Sequence, residues 1–352
     1  MSSLAATRVA RYGMPFTPTR DTVERDEDYL SLLARQGFEN PEAWVDVARR
    51  EGFRVVPATM VTACPGCGDI RSSRIGQFVH FSNALQLREC AACRLVYADR
   101  RVDAAVIQSH FESAYKDEEY FARKRKPVFD QIGAICAELA PHGGTVLDVG
   151  GAKGHLLDAI RRRRPDLRLI LNDVSETACA YGRVHFGLEV LPGALSAIAH
   201  RAPPVDVLVM SDVLYYEPDI RGAWEAVSRV CRPGGALVIR VPNKLPIIRV
   251  TQQVLRPGGR GVASQARIRF FNPEHLYVLS RGYLDERLRA IGFATVEAAP
   301  AALLAATPLR RVFGAALRAL ARAIQRLSRG AMLPCPAIVL IARDFLADLP
   351  PL

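Results

Sequence analysis

The chain has 352 residues, of which 49% are hydrophobic, so it can bury a sizeable core and has room for about two domains. Its 47 lysines and arginines against 36 acidic residues give a formal net charge of +11. This balance favours anionic substrates, nucleic acid or an acidic membrane surface without choosing among them. The sequence shows no apolar run of about eighteen residues and no apolar segment near its start, so we expect no spanning helix, no signal peptide and a cytoplasmic protein.

Residues 1–60 predict a small helical arm. After a polar start, apolar residues recur at helical spacing around Leu30 and again around Val45. Asn40 followed by Pro41 is typical of a helix N-cap with proline in the first turn. The arm carries no visible chemistry.

Two Cys-x-x-Cys pairs follow in residues 61–105: Cys64 with Cys67, and Cys90 with Cys93. Each pair should form a tight turn that directs two sulfur atoms toward one point, and four thiolates complete a tetrahedral zinc site. β-prone segments between the pairs favour a zinc ribbon, and four sulfur ligands make the zinc structural. Disulfides are the alternative, which the expected reducing compartment disfavours.

The segment 145–155 reads TVLDVGGAKGH, a β-prone run that contains Asp148 and passes into a glycine-rich turn. Gly150, Gly151 and Gly154 let the chain turn sharply and approach a ligand closely. Helical spacing after the turn predicts a helix whose unpaired N–H groups suit a carboxylate or a phosphate. The sequence therefore predicts a strand, a glycine turn and a helix.

A second apolar run, residues 167–171, is followed by Asp173, about twenty residues beyond the glycines. An acid in this place binds the ribose of an adenosine-type ligand, whereas a tight turn without a ligand is the alternative. The G-x-G-x-x-G pattern of nicotinamide-binding units fails, because Ala152 and His155 occupy its third and sixth places.

From Asp148 the sequence instead reads D-x-G-x-x-x-G, which resembles motif I of class I S-adenosylmethionine-dependent methyltransferases. Ala152 stands where that motif usually has its middle glycine. The order of C-P-x-C-G, R-x-C-x-x-C-x-L-V-Y, D-E-E-Y-F at 117–121 and motif I resembles bacterial methyltransferases with an N-terminal zinc-binding module. These include sugar C-methyltransferases and enzymes of polysaccharide and natural-product pathways.

This resemblance implies a Rossmann-like α/β methyltransferase fold with a seven-stranded sheet in the order 3-2-1-4-5-7-6, preceded by the zinc ribbon. It implies that the zinc module helps to build the substrate side of the cleft, with Tyr115 and Tyr120 as candidates; aromatic packing is the alternative for both. A further departure from the family is Ala194, where relatives often carry an acid that contacts adenine.

The apolar run 205–210 predicts a buried parallel strand that ends at Ser211 and Asp212. Ligands lie at the carboxyl edge of open α/β sheets, so both residues should face the cofactor and the substrate. Relatives commonly read D-V-L-E-H here, and Tyr216 replaces the histidine that serves as their proposed base. A tyrosine is a poor base at neutral pH, which leaves three alternatives open. Tyr216 only orients the substrate, His275 or Glu217 is the base, or the reaction needs little help from a base.

Residues 226–273 contain no acid and nine lysines and arginines. The later part of this segment is rich in glycine and should rim the substrate mouth, where fixed positive charge favours a phosphorylated or carboxylated acceptor. A solvated basic surface without a specific partner is the alternative.

Residues 308–330 predict a basic amphipathic helix with apolar residues at alternating spacings of four and three, among them Phe313, Leu320 and Leu327. Packing on the core and lying on an anionic membrane are the two interpretations. Residues 337–342 predict a last, antiparallel strand, which makes the helix an insertion between the sixth and seventh strands.

We therefore predict a helical arm (1–60), a zinc ribbon (61–105), a linker and substrate-side segment (106–140), a cofactor-binding core (141–300) and a basic helix with the last strand (301–352).

The expected function is S-adenosylmethionine-dependent methyl transfer to a sugar, a glycan or lipid-linked precursor, a nucleotide-sugar or another small anionic acceptor, in the cytoplasm or at the inner face of the membrane. RNA methylation and a catalytically degenerate scaffold are the alternatives; nucleic acid is disfavoured because the N/D-P-P-Y/F motif and stacking aromatics are missing. The catalytic candidates are Tyr216, His275 and Tyr120; the cofactor candidates are Asp148, Gly150, Gly151, Gly154, Asp173, Ser211 and Asp212; the zinc ligands are Cys64, Cys67, Cys90 and Cys93.

Overall fold

The structure is a computed structural model, which describes residues 58–80, 83–102, 123–246, 248–249, 275–305 and 307–347. The predicted helical arm, apart from its last three residues, and both Tyr115 and Tyr120 lie outside this described part. The strands are β1 (Ala58–Met60), β2 (Ser72–His80), β3 (Asn83–Cys90), β4 (Val96–Ala98), β5 (Arg100–Val102), β6 (Thr145–Val149), β7 (Arg168–Asp173), β8 (Glu189–Pro192), β9 (Val205–Ser211), β10 (Cys231–Pro242), β11 (Tyr277–Val278), β12 (Phe293–Pro300) and β13 (Ala337–Phe345). The helices are α1 (Lys126–Leu139), α2 (His155–Arg161), α3 (Glu176–Phe186), α4 (Leu195–Ile198), α5 (Ile220–Val230), α6 (Arg281–Ala290) and α7 (Pro308–Leu327).

The chain divides into two units. The first, which we call the N-terminal unit, comprises residues 1–114 together with 244–280. The second, which we call the core unit, comprises residues 115–243 and 281–352. The glycine-rich later part of segment 226–273, predicted to rim the substrate mouth, lies outside the described residues.

The N-terminal unit is built on an antiparallel sheet in the order β11-β4-β3-β2, with β1 and β5 paired beside it. The long hairpin of β2 and β3 joins the two cysteine pairs, as expected of a zinc ribbon. A small apolar cluster stabilises the unit, in which Leu87 and Val96 pack with Leu245, Ile248 and Val278. Leu245, Ile248 and Val278, which follow β10 in the chain, therefore contribute part of the core of this unit.

The core unit contains a seven-stranded sheet in the order β12-β13-β10-β9-β6-β7-β8. Its strands from β8 to β10 are parallel, and β13 is antiparallel to both β10 and β12. This arrangement is the predicted order 3-2-1-4-5-7-6, which is confirmed. The central strands β6 and β9 are buried along almost their whole length and are mostly apolar, because helices cover both faces of a parallel sheet.

Helix α7 lies between β12 and β13 in the chain, as the sequence predicted. Thr307 caps its first turn by accepting a hydrogen bond from the Arg310 N–H, and Pro308 occupies the first helical position. Only Gly314 and Ala321 of this helix are buried. Within the described residues, no helix has the length and the apolar composition that crossing a membrane requires.

Candidate functional site

The carboxyl ends of β9, β6 and β7 lie side by side at one edge of the core sheet. Asp148 of β6 is in register with Leu171 of β7 and Val209 of β9. Asp173 and Ser211 therefore end the two strands on either side of β6. The sheet thus brings the predicted cofactor residues of three separate motifs to one edge, and their contacts with a cofactor remain predictions.

The glycine turn between β6 and α2 is tightly packed against the sheet. Gly150 and Gly154 have φ angles of +64° and +85°, which favour glycine. A Cβ atom on Gly151 would lie 2.5 Å from Oδ2 of Asp148 and 2.6 Å from Cδ1 of Leu171, so no side chain fits there. Ala152 has a φ angle of +51°. The residue that replaces the usual middle glycine therefore adopts a conformation that glycine would adopt more easily.

Asp148 lies beneath this turn and is almost completely buried. Its Oδ2 atom has no hydrogen-bond partner among the described residues. Burial raises the pKa of the Asp148 carboxyl to about 8; the charge of Arg125 opposes this shift and that of Asp173 adds to it. A buried carboxylate oxygen without a partner is costly, so this atom is suited to a cationic or hydrogen-bonding ligand.

Asp173 fixes the turn from the neighbouring strand. Its Oδ2 accepts a hydrogen bond of 2.8 Å from the Ala152 N–H, and its Oδ1 accepts one of 2.9 Å from the Ser175 N–H. A carboxylate has about four acceptor positions, so both oxygens can accept a further donor, such as a ribose hydroxyl. The carboxylate therefore positions the glycine turn in addition to its predicted role in binding ribose.

Asn172, which sequence reasoning did not single out, holds the loop after β8. Its side-chain amide donates hydrogen bonds of 2.6 Å to the Leu191 carbonyl and 2.7 Å to the Gly193 carbonyl. This loop leads to Ala194, where the family often has an acid that contacts adenine. The position of Asn172 beside Asp173 was the signal that could have identified it.

Ser211 and Asp212 are already engaged by arginines. Asp212 forms salt bridges with Arg125, at 2.9 Å, and with Arg240, and Ser211 accepts a hydrogen bond of 3.3 Å from Arg125. Burial alone would raise the pKa of Asp212, but the two arginine charges outweigh it and hold this pKa below its ordinary value. Two guanidinium groups share one carboxylate, so this cluster carries a net positive charge.

The candidate bases differ in environment. Tyr215 is buried, and burial, with the charge of Asp212, raises its pKa well above the ordinary value. Tyr216 is partly exposed, with its ring centroid 4.6 Å from that of Tyr215. Burial raises the pKa of Glu217 above its ordinary value. His275 belongs to the N-terminal unit and is buried, and its burial together with the Lys244 charge lowers its pKa well below the ordinary value.

The four cysteines of the N-terminal unit form one cluster. Their sulfur atoms all lie within 4.8 Å of one another, with 3.5 Å between Cys64 and Cys93 and 3.6 Å between Cys67 and Cys90. A tetrahedral zinc ion with bonds of about 2.3 Å needs sulfur–sulfur distances of about 3.8 Å. A disulfide would need about 2.05 Å, and all four are free thiols. The donor set and its spacing therefore fit zinc.

The two turns that carry these cysteines are equivalent in structure. The N–H of Gly68 donates to the Cys64 carbonyl at 2.7 Å, and the N–H of Arg94 donates to the Cys90 carbonyl at 3.2 Å. Both donors have positive φ angles, +81° for Gly68 and +61° for Arg94. The same backbone turn thus holds both cysteine pairs. Only the first turn has a glycine, Gly68, at the position where a positive φ angle favours this residue.

The family model described as a methyltransferase domain matches residues 120–298. A protein of Mycolicibacterium smegmatis, named "Probable S-adenosylmethionine-dependent methyltransferase", is 26% identical over 178 residues, which cover 50% of this chain and 60% of that protein. The chain thus spans about 60% of the length of this curated relative.

Among solved structures, a chain from the complex of the Haloferax volcanii Trm112 methyltransferase activator has 17% identity and a TM-score of 0.47, over 67% of this chain and 98% of that one. An O-methyltransferase family protein from Burkholderia thailandensis has 15% identity and a TM-score of 0.44, over 67% of this chain and 61% of that one. The family match covers just over half of the 352 residues and includes the glycine turn, Asp148, Asp173 and strands β6 to β10 of the core sheet. The chain belongs to the methyltransferase domain family.

Proposed function

We propose that the chain is an S-adenosylmethionine-dependent methyltransferase that acts on a small anionic acceptor. The unpartnered Oδ2 of Asp148, buried beneath Gly151 at a point where a Cβ atom would clash, is the observation that supports a bound cofactor most directly. Asp173, at the end of the adjacent strand, supplies acceptors for ribose hydroxyls. Bound S-adenosylmethionine would supply an electrophilic methyl group on its sulfonium.

The charge at the edge of β9 and β10 supports an anionic acceptor. Arg125 and Arg240 share the single carboxylate of Asp212, and the Arg240 side chain is only 7% exposed. A phosphate or carboxylate of the acceptor would compensate the remaining positive charge in a largely dry environment. Nucleotide-sugars and glycan or lipid-linked sugar precursors carry such groups.

Proton removal from the acceptor is assigned to the loop after β9. Glu217 has a raised pKa because it is largely buried, whereas Tyr216 beside it is suited to orienting the acceptor. The rate of transfer should rise with pH through the raised pKa of Glu217, and Glu217→Gln should flatten that profile. An unchanged profile in this variant would exclude Glu217 as the base.

We also propose that the four-cysteine cluster holds one structural zinc ion. With four sulfur ligands the ion has no open position for a substrate, so it would stabilise the N-terminal unit and take no part in the transfer. Elemental analysis of the purified protein should give one zinc per chain.

A transfer assay with isotopically labelled S-adenosylmethionine tests the function. The purified chain should methylate a component of a nucleotide-sugar or lipid-linked sugar pool. Asp173→Asn should reduce the labelling at least about tenfold when S-adenosylmethionine is below saturation. Labelling of RNA in place of these pools would contradict the proposed acceptor class. Absence of any labelling together with absence of cofactor binding would indicate a methyltransferase-like scaffold.

A further inference from the structure

Helix α7 exposes an apolar surface that the core unit does not cover. Leu309, Phe313, Leu320 and Leu327 are 80%, 64%, 58% and 86% exposed. Their spacing of four, seven and seven residues places them on one line along the helix. Of the thirteen large hydrophobic side chains that are exposed in the described part of the chain, eight lie between Leu304 and Met332. Such a concentration marks a contact surface, since single exposed hydrophobic residues are ordinary but contiguous ones are not.

The helix is attached to the core unit by its other side. Gly314 and Ala321 are buried there, and a Cβ atom on Gly314 would lie 3.6 Å from Cβ of Leu303. Gln325 adds a hydrogen bond of 2.6 Å from its side-chain amide to the Ala298 carbonyl. Small residues thus hold the helix against the core, and its large apolar residues face outward.

The same helix is strongly basic. Residues 308–330 include six arginines and no acid. Arginines elsewhere in the described chain commonly pair with a nearby carboxylate, as Arg289 does with Asp285 and Arg168 with Glu189. None of the six forms an ion pair within the described residues; they are Arg310, Arg311, Arg318, Arg322 and Arg326 on α7, and Arg329 just after it. Their charge is therefore available to an external anion.

Three of these arginines line an open cleft between the helix and the core unit. Arg322, Arg326 and Arg329 border a space of about 400 Å³ that Ala299 and Pro300, at the end of β12, also line. Guanidinium groups bind phosphate oxygens through paired hydrogen bonds. A cleft of this composition is suited to the phosphate of a lipid headgroup.

We propose that α7 docks the protein on an anionic lipid bilayer. The helix is about 30 Å long at 1.5 Å per residue and would lie in the plane of the interface, with the apolar line in the acyl boundary. The arginines would lie at the level of the headgroups, where each basic residue adds to the attraction of an anionic surface. The charge selects a bilayer over a second copy of this chain, because two such basic helices would repel each other.

Sedimentation with lipid vesicles tests this proposal on the full chain. The wild type should bind vesicles that contain phosphatidylglycerol, should bind those of phosphatidylcholine alone much more weakly, and should dissociate as salt is raised. Phe313→Glu combined with Leu320→Glu should weaken binding at least about tenfold. Combined replacement of Arg322, Arg326 and Arg329 by Gln should weaken binding only to the anionic vesicles.

Val184→Glu is the matched control, because Val184 is a 77% exposed apolar residue on α3. It should bind as the wild type does, and all variants should keep the wild-type melting temperature because the changed residues are exposed. The proposal is overturned if the wild type does not bind anionic vesicles, if the double glutamate variant binds as well as the wild type, or if Val184→Glu weakens binding equally. A lipid-free dimer that the double variant abolishes would also overturn it, by assigning the surface to self-association.

Discussion

Ala152 is the residue at which the chain departs most clearly from its family and accepts backbone strain to do so. Its φ angle of +51° costs about 1 kcal/mol for any residue with a Cβ atom, yet its N–H is held by Asp173. We expect Ala152→Gly to raise the free energy of unfolding by about 1 kcal/mol in urea titrations. Ala159→Gly, within α2, should lower it by a similar amount, because glycine is unfavourable inside a helix. Destabilisation by Ala152→Gly would show that the turn is not strained.

Asp148 should make stability depend on pH in an unusual direction. Its pKa is raised to about 8 in the folded protein from 3.8, so the folded state holds a proton that the unfolded state releases above about pH 4. This contribution is complete below pH 4 and is lost as pH rises through 8. Asp148→Asn should therefore gain stability relative to the wild type between pH 5 and pH 8.5, by more than about 1 kcal/mol. Urea unfolding at the two pH values measures this, and an equal difference at both would contradict it.

At the carboxyl edge of the core sheet, the sequence predicted the candidate residues that belong to a motif. It did not predict the neighbouring residues that belong to none. Asp148, Asp173 and the glycines were predictable because strand, turn and acid follow one another at fixed spacing. Arg125 and Arg240 gave no such signal, because they come from segments more than a hundred residues apart and meet only through the fold. The sequence also predicts that Asp212 faces the cofactor. The strand pattern gives no sign of Arg125 and Arg240, which bind the Asp212 carboxylate.

At the level of elements, the two cysteine turns offer a direct test of the metal centre. Gly68 and Arg94 occupy equivalent positive-φ positions. Arg94 is exposed, and its ion-pair partner Glu89 keeps a second ion pair with Arg249 when Arg94 is replaced. Arg94→Gly should therefore retain zinc and fold stably, whereas Cys93→Ser should lose zinc and unfold the N-terminal unit at lower temperature. Zinc content and thermal melting measure both. Full zinc content in the Cys93→Ser variant would contradict the proposed four-cysteine site.

Helix α7 shows what periodicity alone leaves open. The sequence predicted an amphipathic helix inserted before the last strand, and that placement is confirmed. Periodicity defines an apolar face but not what the face contacts, so both packing on the core and contact with a membrane are consistent with it. In the described part of the chain, the small residues Gly314 and Ala321 are buried, whereas the large apolar residues Leu309, Phe313 and Leu327 are exposed.

For the whole molecule, the strand order of the core unit follows from the family pattern. The pattern does not predict that the N-terminal unit contains two separate segments of the chain. Strand β11 follows β10 of the core unit in the chain but belongs to the sheet of the N-terminal unit, where Tyr277 pairs with Tyr97. A strand of two residues carries too little periodicity to be predicted. The pairing is stabilised by contacts more than a hundred residues distant in sequence, which no local window can contain.

The central claim is a cofactor site between Asp148 and Asp173, and calorimetric titration with S-adenosylhomocysteine tests it most directly. Asp173→Asn should weaken binding at least about tenfold, because it removes a charged acceptor of ribose hydroxyls. Asp206→Asn is the matched control, since Asp206 is a buried acid of the same sheet that binds the Thr145 N–H and Arg232 at the opposite edge. The account predicts binding by the wild type and by Asp206→Asn but weak binding by Asp173→Asn. No binding by the wild type, or equal binding by all three, would contradict it.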